Sequence, residues 1–273
     1  MSPMSSHSLL DEDEPAPFEL IDRPEGKPLI FVCDHAANRI PRALDSLGLE
    51  QRYLDDHIGW DIGAAAVARR LIDWFDASGV LAVYSRLVVD LNRALHHAGA
   101  FPALTDGVLV PGNVNLSMEG KGARAQALYH PYHHVVRQLI TRKTHPQLAP
   151  VFVGIHSFTP RLFGIERPWH VGLLWDKDPR LPLAMLSALR AERDIIVADN
   201  EPYSGRHPAD FTIDHHAEPL GLAHVGIEIR QDLIRDELGQ ERWAERLAEA
   251  FRSVLADAAL YDPALSWLRG GRP

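Results

Sequence analysis

Three apolar segments of the chain lead directly into side chains that can do chemistry. His35 and His156 follow the first two segments, and Glu228 lies in the third. Two neutral imidazoles and one carboxylate are the protein ligands of many catalytic zinc sites, which keep a fourth position for water. Such a zinc lowers the pKa of that water and polarises a carbonyl group. A further carboxylate nearby would act as general base and then protonate a leaving amine.

Two residues are candidates for the third metal ligand. Asn38 stands three residues after His35, where a His-x-x-Glu zinc motif has its Glu, but an amide is a poor zinc ligand. Asp61 is a carboxylate directly before a predicted helix, where it can equally be the N-cap that accepts hydrogen bonds from free N–H groups. Each imidazole can likewise be a structural group that hydrogen-bonds the backbone at a strand end. The residues alone leave both interpretations open.

A second polar cluster indicates how an anionic substrate could be held. Asn92 and Arg93 end a further predicted strand, and Arg86 precedes them. An arginine binds a carboxylate through two parallel hydrogen bonds, and an amide can orient it. The alternative is that Arg93 pairs with Asp90 or with another acid at the edge of the core. Further candidates for lining the substrate pocket, with a surface or structural role as the alternative, are Arg161, His216 and Arg230.

The elements that position these residues follow from hydrophobic periodicity, which alternates between strand-like and helical along the chain. The pattern predicts strands at 28–33, 81–91 (one strand or a pair), 151–155, 171–175, 195–198 and 224–229, and helices at 62–75, 123–144, 183–192 and 240–260. Interleaved strands and helices imply a mostly parallel sheet that is covered on both faces. Ligands bind such folds outside the carboxyl ends of the strands. We expect one domain at 18–273 after a poorly ordered acidic segment at 1–17.

Composition excludes several classes of protein. The 273 residues are 46% hydrophobic and carry a net charge of -9, which argues against nucleic acid or an anionic membrane as the main partner. Cys33 is the single cysteine, so internal disulfides are excluded and a reducing cytoplasm is indicated. The sequence lacks a signal-peptide pattern and an apolar run of about 20 residues, the length of a membrane span. It also lacks Walker, GxGxxG and GxSxG motifs. We therefore expect a cytoplasmic protein that acts on a small molecule.

Motifs along most of the chain resemble those of the N-formylglutamate amidohydrolase family. They lie between about residue 30 and residue 235 and read CDHAANRIP, HIGWDIGA, SRLVVDLNR, YHPYHHV, GIHSFTP, RPWHVGLLW and HVGIEIRQDL. The resemblance implies a single-domain, three-layer α/β/α fold with a mostly parallel mixed sheet, similar to zinc carboxypeptidases and aspartoacylases. It also implies metal-dependent cleavage of the N-acyl amide of an acidic amino acid.

The resemblance to the wider carboxypeptidase pattern also implies the metal ligands. His35 matches the first ligand of that pattern, and His156 in the segment IHSF matches the second. Asn38 departs from the pattern, because the peptidases have Glu at this position. The third ligand is therefore assigned to Asp61, within the HIGWDIGA motif that matches the amidohydrolase family. The implied cofactor is one zinc ion, although other divalent metals suit the same ligands.

The same resemblance implies the catalytic roles. Glu228 in the segment IEIR matches the general base, and Asn92 with Arg93 matches the pair that binds the substrate carboxylate. Arg86 is assigned to the oxyanion of the tetrahedral intermediate. The predicted function is hydrolysis of an N-acyl amino acid such as N-formyl-L-glutamate to formate and the free amino acid. The alternatives are a carboxypeptidase-like peptidase, a deacylase for larger acyl groups, and a non-catalytic amino-acid-binding protein on the same fold.

Overall fold

The computed structural model describes residues 9–206 and 210–265, and a seven-stranded mixed sheet forms its centre. The strands are β1 (Phe18–Ile21), β2 (Leu29–Cys33), β3 (Ser78–Ala82), β4 (Val151–Phe158), β5 (Val171–Leu174), β6 (Val197–Asp199) and β7 (His224–Arg230). Their spatial order is β1-β3-β2-β4-β7-β5-β6. The four central strands β3, β2, β4 and β7 are parallel, while β1 pairs antiparallel with β3 and β5 pairs antiparallel with β7. The predicted mostly parallel, mixed sheet is confirmed.

Helices cover both faces of the sheet. The longest ones in the described ranges are α1 (Ala64–Trp74), α2 (Met118–Arg124 and His130–Lys143, joined by the π-helical turn Ala125–Tyr129), α3 (Arg180–Arg190) and α4 (Glu237–Val254). The short helical segments are Arg42–Gly48, Gln51–Leu54, Ala98–Ala100, Pro111–Asn113, Ile213–Ala217, Glu218–Leu220, Gln231–Leu233, Ala258–Leu260 and Pro263–Leu265. Two small hairpins pair Leu104–Thr105 with Val108–Leu109, and Arg161–Leu162 with Ile165–Glu166. No helix in these ranges combines the length and the apolar character needed to cross a membrane.

Two apolar cores lie on opposite faces of the sheet, as the alternation of side chains along a strand requires. In β2, Phe31 and Cys33 point to one core, and Ile30 and Val32 point to the other. Helices α1, α3 and α4 cover the first core, and α2 with its neighbouring loops covers the second. The fold is therefore the three-layer α/β/α architecture that the sequence predicts.

The predicted strand at 81–91 is wrong beyond residue 82, because residues 83–93 form a buried loop. Leu87 and Val88 are fully buried, so this loop has the apolar character of a strand in the sequence. Its carbonyl groups are satisfied by distant side chains instead of a neighbouring strand. Asn113 Nδ2 donates to the Leu87 carbonyl (2.8 Å), and Arg124 donates to the Val88 carbonyl (3.1 Å). We call this segment the 83–93 loop.

The N-terminal segment predicted at 1–17 is described only from residue 9. Residues 1–8 lie outside the described part of the chain, as do 207–209 and 266–273 of the predicted domain. Between residues 11 and 15, the chain is tied to the body of the protein. Arg42 pairs with Asp11 and Asp13, and the Tyr84 hydroxyl donates to the Pro15 carbonyl (2.9 Å).

Candidate active site

Three buried side chains meet at the carboxyl ends of β2 and β4. His35 lies two residues after β2, His156 lies within β4, and Asp61 lies in the turn before α1. Asp61 Oδ2 is 3.3 Å from His35 Nδ1 and 2.8 Å from His156 Nδ1. One ligand atom from each residue lies within 4.8 Å of the others. The structure thus brings together the three residues that the sequence proposes as metal ligands, in a group that could bind a metal ion.

The backbone sets the position of Asp61. Its N–H donates to the carbonyl of His35 (2.9 Å), which ties the turn before α1 to the loop after β2. Gly63 occupies the N-cap position of α1, and no side chain accepts a capping hydrogen bond there. Asp61 is therefore not the N-cap of this helix. Asn38, the other candidate for the third ligand, donates its Nδ2 to Asp55 Oδ1 (2.9 Å) near the surface. Of the two candidates, only Asp61 faces the imidazoles.

Two further carboxylates hold the far sides of the imidazole rings. Asp90 Oδ1 is 2.8 Å from His35 Nε2, and Asp34 Oδ2 is 3.4 Å from His156 Nε2. Asp34 is itself fixed by the Tyr132 hydroxyl, which donates to its Oδ1 (2.6 Å). A histidine that binds a metal usually donates its other ring N–H to such a carboxylate, which fixes the tautomer and the ring orientation. This arrangement suits the two Nδ1 atoms as metal ligands.

Buried negative charge dominates the electrostatics of this group. Burial alone would lower the pKa of His156, but the neighbouring carboxylates of Asp34 and Asp61 raise it well above the ordinary value. Burial alone would raise the pKa of Asp61, yet the charge of His35 and hydrogen bonds with both imidazoles lower it. Positive charge is therefore favoured between these groups. Either protons on the imidazoles or a divalent cation at the Nδ1 atoms can supply it.

Glu228 lies beside this group on the neighbouring strand, where it pairs in register with His156. The residue is only 7% exposed, and its Oε2 is buried without a hydrogen-bond partner among the described residues. Burial is the main reason that the pKa of Glu228 is raised to about 7. A carboxyl group with such a pKa can take up and release a proton near neutral pH. Glu228 thus has the properties required of a general acid–base.

The 83–93 loop carries three more of the predicted residues to the same place. Arg86 donates from Nη2 to Asp90 Oδ2 (2.8 Å), so Asp90 holds both this guanidinium and the His35 ring. The backbone N–H of Asn92 also donates to Asp90 (2.9 Å). Arg93 follows directly and donates from Nη1 to the carbonyl of Asn92 (3.1 Å). One buried aspartate therefore organises the loop around the imidazole.

A pocket of about 460 Å³ opens over these side chains. Most of the predicted site residues line it, namely His35, Asp61, Arg86, Asn92, Arg93, His156 and Glu228. Other residues lining the pocket are His97, Ser157, Leu174, Tyr203, Ser204 and Asp210. Imidazoles, a base and two guanidinium groups thus face a common space, which is what hydrolysis of an anionic substrate requires.

Three predicted substrate-binding residues do not line this pocket. Arg161 pairs with a glutamate on its own hairpin and is exposed. Arg230 donates from Nε to Asp232 Oδ1 (2.8 Å) beyond the end of β7. His216 is buried, and its Nε2 is 2.8 Å from His133 Nδ1. The structure therefore does not bring these three side chains to the pocket.

Sequence reasoning missed two kinds of site residue. Asp34 and Asp90 lie behind the imidazoles, and both belong to the motifs CDHAANRIP and SRLVVDLNR, so their position in the sequence was a usable signal. Tyr203 and Asp210 line the pocket from the segment between β6 and β7. Residues 200–206, which include Tyr203, form neither helix nor strand, and the sequence there has no hydrophobic periodicity that would place it near the site.

Comparison with known proteins identifies the family of the chain. A family model described as N-formylglutamate amidohydrolase matches residues 27–235. An N-formylglutamate deformylase of Pseudomonas aeruginosa is 29% identical in an alignment that covers 89% of this chain and 94% of the relative.

Solved structures also resemble the chain. A gene product of Agrobacterium tumefaciens has a TM-score of 0.84 and 36% identity, over 90% of this chain and 99% of the other. The N-formylglutamate amidohydrolase from Ralstonia eutropha has a TM-score of 0.63 and 20% identity, over 88% of this chain and 98% of the other. At that identity the second likeness shows the fold alone.

Proposed function

The chain belongs to the N-formylglutamate amidohydrolase family and is a hydrolase of linear amide bonds, and from this premise we propose that it hydrolyses the N-formyl amide of an acidic amino acid such as N-formyl-L-glutamate. The products would be formate and the free amino acid. The observation that carries the proposal is the buried group of His35, Asp61 and His156, with Glu228 beside it in one pocket. The Pseudomonas relative, a deformylase by name, supports the choice of a formyl group.

We propose zinc as the ion held by His35, Asp61 and His156. Two imidazoles and a carboxylate are common ligands of catalytic zinc, and the orienting carboxylates behind both rings fit the usual surroundings of such ligands. The bound ion would polarise the amide carbonyl and lower the pKa of a water molecule.

Glu228 moves the proton in this mechanism. Its carboxylate takes a proton from the attacking water as the oxygen bonds to the formyl carbon. It then passes that proton to the amide nitrogen as the C–N bond breaks and the amine leaves. Burial supports both steps, because it raises the pKa of Glu228 towards neutrality and keeps bulk water from competing for the proton.

Arg86 would stabilise the negative charge that develops on the carbonyl oxygen. Its guanidinium is held by Asp90 (2.8 Å) and lies 3.5 Å from Asp61 Oδ1. The side chain is still 27% exposed and lines the pocket. A cation fixed in this way needs little rearrangement during the reaction, which is the basis of electrostatic catalysis.

Asn92 and Arg93 would bind the α-carboxylate of the amino acid. Asn92 Oδ1 accepts the N–H of Thr212 (2.8 Å), which orients the amide, and its Nδ2 donors would bind a substrate carboxylate. Arg93 beside it supplies the charge and the paired N–H groups that a carboxylate needs. Together they would hold the substrate so that its amide lies over the imidazoles.

Metal analysis combined with a turnover assay tests the proposal. We expect about one metal ion per chain, and release of glutamate from N-formyl-glutamate that stops on chelation and returns when zinc is added. Asp61→Asn should lose the metal, whereas Asn38→Ala should keep it, because Asn38 lies outside the ligand group. Metal without turnover would contradict the substrate assignment. A chain that binds no metal even with added zinc would contradict the ligand assignment and favour a non-catalytic binding protein.

A further inference from the structure

A second chamber of about 200 Å³ adjoins the active-site pocket. Asp61, Arg86, Ser157 and Tyr203 line both spaces, so the two meet at the catalytic group. The remaining walls of the chamber differ from those of the pocket. They come from the hairpin at 161–166, from its counterpart at 104–109, from the end of β4 and from residues 57–58.

The proposed binding mode determines which part of the substrate faces this chamber. Asn92 and Arg93, which would hold the amino acid's carboxylate, line the pocket but not the chamber. Asp61 and Arg86 stand at the junction, where the scissile carbonyl would lie. The group on the other side of that carbonyl from the amino acid is the acyl substituent. In a formyl group this substituent is a single hydrogen atom, which would leave the chamber unfilled.

We propose that this chamber is an acyl-binding site and that the enzyme accepts neutral acyl groups larger than formyl, up to about the size of benzoyl. The inference rests on the proposed function, which it extends from formyl to a wider class of N-acyl amino acids. A cavity of about 150 Å³ is large enough to hold a benzene molecule, and the chamber exceeds that volume. Phe158, Leu162 and Phe163 give it apolar surface on one side.

The charges on the chamber wall favour a neutral acyl group. Arg86 already faces two carboxylates, at 2.8 Å from Asp90 and 3.5 Å from Asp61. His57 Nε2 is 3.1 Å from Asp106 Oδ2. Within the described lining of the chamber, the Arg86 guanidinium and the His57 imidazole thus each have an acidic partner. An acyl group with its own carboxylate, such as succinyl, would find no cation without an acidic partner in this lining, and the aspartates would repel it.

A panel of N-acyl-L-glutamates tests the inference on the zinc-loaded full chain. The acyl groups are formyl, acetyl, benzoyl and succinyl, and kcat/KM is measured from glutamate release. We expect the formyl, acetyl and benzoyl compounds to be hydrolysed within about tenfold of one another, and the succinyl compound at least about tenfold more slowly, the range that a pocket contact usually controls.

Two tryptophan variants on one hairpin provide the matched comparison. Leu162 lines the chamber, while its cross-strand partner Ile165 is 71% exposed and does not. Leu162→Trp should lower the ratio of benzoyl to formyl kcat/KM by at least about tenfold, and Ile165→Trp should leave this ratio unchanged. Thr105→Trp fills the chamber from the opposite hairpin and repeats the test independently of how Leu162→Trp folds.

The outcomes separate this inference from the function on which it rests. Hydrolysis of the formyl compound alone overturns the acyl site and leaves the proposed function standing. Equal ratios in the Leu162 and Ile165 variants also overturn it, because bulk in the chamber would then have no effect. If the metal-loaded enzyme hydrolyses none of the four compounds, the proposed function itself fails and the acyl site fails with it.

Discussion

Replacement of Glu228 by glutamine isolates the proton-transfer step from binding and folding. Glutamine has the same shape as glutamate but cannot accept the proton of the attacking water. General acid–base catalysis contributes about 10²–10⁴-fold to enzymatic rates. We therefore expect kcat to fall by about that factor in Glu228→Gln, which raises the activation barrier by about 3–5 kcal/mol.

The structure predicts that this variant otherwise resembles the wild type. Oε2 of Glu228 has no hydrogen-bond partner among the described residues, so the substitution breaks no such bond there. We expect the free energy of unfolding to change by about 1 kcal/mol or less. The metal content should be unchanged, because Glu228 is not one of the proposed ligands His35, Asp61 and His156.

Glu218 offers a matched control for the same substitution. It is as deeply buried as Glu228, at 3% against 7% exposure, but it pairs with Lys177 and does not line the pocket. Glu218→Gln should lose about 1–3 kcal/mol of stability through the lost charge-assisted bond and keep its turnover. The assay is steady-state glutamate release, with metal analysis and urea unfolding of the same samples. A folded, metal-loaded Glu228→Gln that retains more than about a tenth of wild-type kcat would refute the role of Glu228.

Further perturbations test substrate binding, the support of the site and its response to pH. Arg93→Lys should raise KM for N-formyl-glutamate about 10–100-fold with a smaller change in kcat, because Lys lacks the paired donors; an unchanged KM would contradict the assignment. Arg124→Met removes the side-chain donor to the Val88 carbonyl in the 83–93 loop and to the Gly112 carbonyl beside it. The variant should lose about 2–4 kcal/mol in urea unfolding and have a lower kcat; full activity would show that other contacts hold the loop. Burial lowers the pKa of His133 to about 4 and that of His216 to about 3. The unfolded chain takes up these protons near pH 6.5, so the free energy of unfolding is highest above that pH and falls towards pH 4, by about 3 kcal/mol for His133 alone. In His133→Asn, the free energy of urea unfolding should depend less on pH between 6.5 and 4. An unchanged pH dependence would contradict this account.

Most of the sheet could be predicted because its central strands are continuous apolar runs. β2 and β4 are buried on both faces, so their residues carry a strong local signal. Both lead into an imidazole, and the rule that ligands bind at the carboxyl ends of parallel strands brings the two imidazoles together. The antiparallel direction of β5 was not accessible in this way, because a short apolar strand looks the same in either direction.

The 83–93 loop shows where local pattern fails. Leu87, Val88 and Val89 are buried, and they give the loop the same signal as a strand. The loop differs from a strand in the groups that satisfy its buried backbone carbonyls by hydrogen bonding. Asn113 and Arg124 do so from more than twenty residues away in sequence, and no local pattern encodes such long-range partners. A buried arginine that serves carbonyl groups is visible only once the fold is known.

Asp61, the proposed third ligand, shows why motif spacing could not complete the candidate site either. In a His-x-x-Glu motif, local chain geometry sets the distance between the two ligands. Here a backbone hydrogen bond from the N–H of Asp61 to the carbonyl of His35, 26 residues earlier, sets the distance between these two side chains. Asn38, at the motif position, is consequently free to bond Asp55 near the surface. The fold thus brings an imidazole and a carboxylate together from two separate turns. A search for the His-x-x-Glu motif alone would miss this candidate metal site.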